Sequence, residues 1–121
     1  MGLTKVESLK KDMDLLIDNL RYVTRSSEND FYTSEIYGID KETGEFGGII
    51  ESYFLCDPTY RDNINTAVEN FKNSTGREVY INSSYLGADV DTDKITVALG
   101  INGIDDYYKF KEDLKKHRRE M

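Results

Sequence analysis

The sequence predicts an α+β domain over residues 1–121, with elements in the order α-ββα-ββα, four mainly antiparallel strands and helices chiefly on one face. Three observations carry this prediction. Residues 94–101 alternate aliphatic with small or polar side chains, the period-2 pattern of a half-buried strand. Apolar residues elsewhere recur at helical spacing, and polar turns separate the strand-like runs. At 121 residues the chain is long enough for one core of its own.

The first helix is predicted to open at Thr4, with Glu7 completing a T-x-x-E capping box, and to run to about Thr24. Its apolar residues recur at alternating spacings of three and four, which places them on one stripe. We expect this stripe to dock on the sheet, and self-association through it is the alternative. The stripe comprises Val6, Leu9, Met13, Leu16, Leu20 and Val23.

The first hairpin is predicted to pair a strand at 31–39 with a strand at about 46–55. Gly44 in the connection can adopt the positive φ that a tight turn requires. Both faces of the second strand are largely apolar, so we expect it to be central and covered on both sides. Gly47 and Gly48 indicate a bulge or a close backbone approach.

The second half of the chain repeats this plan. Asp57 and Pro58 predict an N-cap followed by proline at the first helical position, and Gly76 predicts the left-handed C-cap of the second helix. A third strand follows at about 78–86, before the alternating strand described above. A third helix is predicted over 105–121.

Acidic charge is concentrated in the first hairpin. The chain has a net charge of −7, and residues 26–57 carry eight acidic side chains against one lysine, Lys41. Such a segment repels nucleic acid and attracts basic surfaces. We therefore predict a surface that binds a protein partner with a basic face. Its carboxylates are Glu28, Asp30, Glu35, Asp40, Glu42, Glu45 and Glu51.

The leading functional hypothesis is a non-enzymatic acidic protein-binding module. It would inhibit or antagonise a nucleic-acid-handling protein, as immunity proteins, antitoxins and mobile-element anti-defence proteins do, which is an argument by analogy. The physical basis is competition, because carboxylates attract the lysines and arginines that would otherwise hold nucleic acid.

The tyrosines support an alternative, a small-ligand binder or small degradative enzyme that uses one face of the sheet. The chain has nine tyrosines and no tryptophan. Tyrosine combines a rigid apolar ring with a polar tip, which suits binding surfaces. The polar contacts on this face would come from Tyr80, Asn82, Ser84 and Thr96.

The basic run at 115–119, KKHRR, raises a third hypothesis, nucleic-acid binding through the C-terminal helix. The overall acidity and the interleaved Glu112, Asp113 and Glu120 argue against direct nucleic-acid binding. His117 has a structural explanation, because cations stabilise a helix C-terminus.

Metal and cofactor chemistry is not predicted. Asp89, Asp91 and Asp93 resemble the start of a calcium loop. Lys94 stands where the turn glycine of such a loop belongs, and Gly100 where its bidentate glutamate belongs, so we predict no metal site. The sequence also has no P-loop, dinucleotide fingerprint or zinc motif, so we expect no cofactor and no catalytic residue.

Three further residues leave alternatives open. Glu35 and Glu51 lie within predicted strands and are a candidate carboxylate pair for acid/base chemistry, although an outward strand face or an interface is the more common explanation. Cys56, the only cysteine, excludes an internal disulfide. It precedes a helix N-terminus, where a thiol pKa can fall, while burial on the apolar face is the alternative.

The sequence also indicates where the protein is located and how it assembles. The N-terminus lacks the pattern of a signal peptide, and no apolar run reaches the ~20 residues of a membrane span. We therefore predict a cytoplasmic protein with no membrane partner. The stripe on the first helix and the small-residue face of the 94–101 strand are two surfaces for self-association, which predicts a homodimer.

Overall fold

The computed structural model describes residues 5–39, 46–87, 89, 91–101 and 112. The described part contains two α-helices and a four-stranded antiparallel sheet, which confirms a small α+β fold. The predicted third helix lies outside the described residues, apart from Glu112. The elements are α1 (Lys5–Thr24), β1 (Phe31–Ile39), β2 (Phe46–Cys56), α2 (Arg61–Thr75), β3 (Tyr80–Tyr85) and β4 (Asp93–Gly100).

The sheet has the strand order β1-β2-β4-β3, with each neighbour antiparallel. The two hairpins therefore meet through β2 and β4, and β1 and β3 form the edges. β2 is a central strand, as its two apolar faces predict. Its register places Phe31 opposite Phe54 and Ile50 opposite Leu99.

Both described helices pack on one face of the sheet. Residues paired across antiparallel strands share a face, so Ile50 and Phe54 of β2 lie with Ile95, Val97 and Leu99 of β4. These side chains form one core with the helices, and most of the α1 stripe is buried in it. Helical contributors to this core are Leu9, Met13, Leu16 and Leu20 of α1 and Ile64, Ala67, Val68 and Phe71 of α2.

The ends of α2 follow the predicted capping residues with one shift. The Asp57 carboxylate accepts a hydrogen bond of 2.9 Å from the Thr59 amide and caps a 3-10 turn, Pro58–Tyr60, which leads into α2. This bond lowers the pKa of Asp57. Gly76 has φ 72° and donates its amide to the Lys72 carbonyl at 2.9 Å, which confirms the left-handed cap.

The glycine pair in β2 does not form a bulge. Gly47 and Gly48 pair in regular register with Gly38 and Tyr37. The Gly48 carbonyl also accepts a hydrogen bond of 2.9 Å from the Ile101 amide, which extends the β2–β4 ladder by one residue. The bulge prediction is therefore wrong, and both glycines are instead buried within a continuous sheet.

None of the helices that the structure describes is both long enough and apolar enough to cross a bilayer.

Candidate functional site

The face of the sheet opposite the helices, called here the outer face, carries polar residues from all four strands. Across one row of the register, Tyr32, Tyr53, Thr96 and Asn82 lie side by side from β1 to β3. The rows on either side add the other predicted contacts. The structure thus brings Tyr80, Asn82, Ser84 and Thr96 onto one face.

Exposure changes along the outer face. At one end, Ile49, Glu51 and Ala98 are at most 1% exposed. At the other end, Tyr32 is 68% exposed and Leu55 is 41% exposed. The accessible part of this face is therefore the half that also carries the exposed residues Lys94, Asn82 and Ser84.

Tyr53 is the centre of the contacts on this face. Its hydroxyl donates a hydrogen bond to the Glu51 carboxylate, which partly offsets the cost of burying that group. The Lys94 ammonium lies 4.9 Å from the centroid of the Tyr53 ring, and the Tyr32 ring lies 6.4 Å away. Burial, followed by the bond to Glu51, raises the pKa of Tyr53 to about 12.

We expect Tyr53 to titrate later than an ordinary tyrosine. Burial and, after it, the bond to Glu51 raise its folded pKa to about 12, above the unfolded value near 10, so folding stability is intact below pH ~10 and falls as the pH rises towards 12. An ultraviolet titration of tyrosine ionisation should show one component near pH 12. Tyr53→Phe should remove that component, whereas Tyr22→Phe, at an 84% exposed position, should leave it in place.

Three carboxylates of the predicted acidic surface, Asp30, Glu35 and Glu51, lie in the described part of the chain and are in different environments. The Asp30 carboxylate accepts hydrogen bonds from the Ser27 amide at 2.9 Å and from the Ser27 hydroxyl at 3.2 Å, within its own loop. A carboxylate oxygen of Glu35 lies 3.5 Å from the Lys10 ammonium of α1. Glu51 is buried on the outer face, so it is not part of an exposed surface. Outside the described residues lie Asp40, Glu42, Glu45 and the side chain of Glu28.

Glu35 and Glu51 do not pair as candidate acid and base. Glu35 is opposite Ile50, on the helix-facing side of the sheet, whereas Glu51 is opposite Ser34, on the outer face. The sheet separates the two carboxylates because neighbouring register positions point to opposite sides. The acid/base alternative for this pair is therefore wrong.

The three alternating aspartates are in different environments. Asp89 and Asp91 are exposed, whereas Asp93 is 1% exposed and accepts a hydrogen bond from the Arg61 guanidinium. Within the described part of the chain, no group of three His, Cys, Asp or Glu side chains is arranged to hold a metal ion. The absence of a metal site remains a prediction.

Cys56 is a buried thiol. Desolvation is the largest cause that raises its pKa, followed by the charges of Asp93 and Asp57, while Arg61 acts in the opposite direction. The thiol donates to the Asp57 carbonyl at 3.2 Å. Burial on the apolar face is thus the correct alternative, and the nearby helix start does not lower the pKa.

Sequence reasoning missed two members of the outer-face site. Tyr53 and Lys94 contact each other there, and both have the same strand parity as residues already placed on that face. Their parity was the available signal, since Lys94 is two residues from Thr96. The basic run at 115–119, with His117, lies outside the described residues.

Comparison with known proteins gives no relative. No protein-family model matches the chain. No curated protein and no solved structure matches it either. The functional argument therefore rests on charge and geometry alone.

Proposed function

We propose that this protein is a non-enzymatic binding module that antagonises a protein partner through that partner's basic surface. The observation that carries the proposal is the charge of residues 26–57, which contain eight acidic side chains and one lysine. This segment alone accounts for the whole net charge of −7. A field of this sign favours encounter with a protein that handles nucleic acid through lysines and arginines.

Within this proposal, we place the contact surface at one end of the first hairpin. Glu51 is buried, and Glu35 is engaged by Lys10 on the helix side. β1 spans nine residues, so its two ends are about 26 Å apart at the rise of a strand; Asp30 precedes one end and the connection follows the other. At physiological ionic strength, salt screens the interaction between exposed charges that are more than about 8–10 Å apart, so the two ends act separately. The proposed contact surface is thus the connection that contains Asp40, Glu42 and Glu45.

A double charge reversal at the connection tests the proposal. Glu42→Lys combined with Glu45→Lys should reduce the association rate for the partner about tenfold at low salt, because surface charges act mainly by steering encounter. The salt dependence of that rate should become flatter. The partner is first recovered by affinity capture on the tagged full chain with mass spectrometry, and the rates are then measured by stopped flow.

The second hairpin supplies a matched control. Asp89→Lys combined with Asp91→Lys makes the same charge change at two exposed positions and should change the rate much less. Asp93 is unsuitable as a control because it is buried. If both double variants slow association equally, the effect is one of net charge and the acidic connection is not the contact surface.

A second candidate function is supported by the outer face. Four polar residues from β3 and β4 share that face, and its open half adds Tyr53 with Lys94 over its ring. This arrangement favours a small planar ligand or an enzyme substrate. An unchanged affinity after reversal of Glu42 and Glu45 would make the outer face the surface to test.

Three other expectations remain proposals. Cytoplasmic location and nucleic-acid binding by the C-terminal segment have no support beyond the sequence. The homodimer stays a proposal: Leu9, Met13, Leu16 and Leu20 of the α1 stripe lie in the core, and on the small-residue face of β4 Ala98 is buried whereas Lys94 is exposed.

A further inference from the structure

A groove between the end of α1 and one side of α2 has the chemistry of a ligand site. Its volume is about 780 Å³, within the range of small-molecule sites in proteins. Arg21 and Tyr22 at the end of α1, Arg25 just after it, and Tyr60 in the turn before α2 line the groove. Among the described residues that line it, none is acidic, although the protein as a whole has a net charge of −7.

Arg25 is held in a conformation that favours glycine. Its φ is 57°, and it is the only non-glycine residue of the described chain with a positive φ. It follows the last residue of α1, and the Ser26 amide donates to the Arg21 carbonyl at 3.2 Å, as in a Schellman cap. The guanidinium carbon lies 6.0 Å from the centroid of the Tyr60 ring. A position that suits glycine thus places a cation at the groove.

A helix C-terminus also attracts cations, which is a competing explanation for the two arginines at this end of α1. The helix end carries about half a negative charge, against two full positive charges from Arg21 and Arg25. Asp18 offsets one of these from 3.4 Å, but it lies outside the groove. The terminal carbonyls are also bonded, that of Val23 by the Asn63 amide at 3.0 Å. The described lining of the groove thus carries two arginines and no acidic side chain.

The lining of α2 adds groups that a simple anion would not need. Asn63, Thr66 and Asn70 lie three and four residues apart, so they share one side of the helix that faces the groove. Amides and hydroxyls both donate and accept hydrogen bonds. These groups can hydrogen-bond the edge of a planar heterocycle, and the tyrosine rings can stack on its flat face.

We propose that this groove binds a nucleoside phosphate. Guanidinium groups contact phosphate through paired hydrogen bonds, which assigns the phosphate to Arg25 and Arg21. Tyrosine rings stack on bases, which assigns the base to Tyr60 and Tyr22. Asn63 and Asn70 then contact the base edge. An acidic peptide would use the arginines alone and leave this aromatic and amide lining without a role.

Titration of the full chain tests the proposal. AMP, GMP, CMP and UMP, their nucleosides and inorganic phosphate are each titrated and followed by calorimetry. At least one monophosphate should bind with a Kd below about 1 mM. It should bind at least tenfold more tightly than its own nucleoside and than phosphate, because both halves of the site are then used.

Arg25 variants separate binding from folding. Arg25→Gly removes the guanidinium and suits the positive φ, so its melting temperature should stay equal or rise while the affinity falls at least tenfold. Arg25→Lys keeps the charge without the paired donors and should lose an intermediate amount. Lys11→Gln removes one cation from an exposed α1 position outside the groove and should bind like the wild type.

Four outcomes would overturn the proposal. They are no monophosphate binding below about 1 mM, full affinity in Arg25→Gly, equal affinity for phosphate and nucleotide, and tighter binding of hexaglutamate than of any nucleotide. The third would reduce the groove to an anion site, and the fourth would make it a peptide site. None of these results depends on the acidic connection, so this test stands apart from the proposed antagonist function.

Discussion

Replacing Phe54 by alanine is expected to lower the free energy of unfolding by about 3–5 kcal/mol. Phe54 is 1% exposed and belongs to the core between the sheet and the helices. Its ring stacks on Phe31 of β1 with centroids 4.7 Å apart. Truncation therefore removes apolar burial, leaves a cavity and frees one side of the Phe31 ring. Domains of this size are stable by only about 5–15 kcal/mol, so the loss is a large share.

Urea unfolding measures this loss, with the midpoint falling at an unchanged slope. Tyr22→Ala is the matched control, because that ring is 84% exposed and its truncation should cost less than about 0.5 kcal/mol. A Phe54→Ala cost below about 1 kcal/mol would contradict the packing described for this face. A changed slope would instead indicate that the variant no longer unfolds in one step.

The local elements of this fold were readable because their signals lie within one segment. The alternation in β4 and the three-and-four spacing in α1 each state which side is apolar. Gly76 identifies a helix end because few other residues accept its positive φ. β2 could be placed at the centre of the sheet since both of its faces are apolar.

The arrangement of those elements was not readable. Period 2 assigns Glu51 to a face but does not say that this end of the face is buried. Counting acidic residues along the chain also did not show that Asp30 and the connection flank opposite ends of β1. The length of this strand separates charges that are close in sequence.

The groove was missed for a related reason. It exists only where α1 and α2 meet, and no segment contains both sides of it. Arg25 gave no signal, because sequence rules expect glycine or asparagine at a left-handed cap. A residue that departs from such a rule is found by its backbone angle in the structure, as Arg25 is by its φ of 57°.

The contact between Arg61 and Asp93 joins residues that sequence reasoning treated separately. Asp93 is 1% exposed and accepts from the Arg61 guanidinium, and its second carboxylate oxygen has no hydrogen-bond partner in the described chain. A buried carboxylate in that condition depends on one cation. The side chain of Arg61 is 51% exposed, so water can partly replace it.

Arg61→Ala is expected to lower the free energy of unfolding, because it leaves the Asp93 charge buried without its partner. Adding Asp93→Asn removes that charge at nearly constant shape, so the double variant should be more stable than Arg61→Ala alone. Urea unfolding of the wild type, both single variants and the double variant gives the coupling energy. Lys72→Ala, which breaks an exposed pair with Glu69, should cost under about 0.5 kcal/mol. Equal stability of Arg61→Ala and the double variant would show that solvent already compensates Asp93.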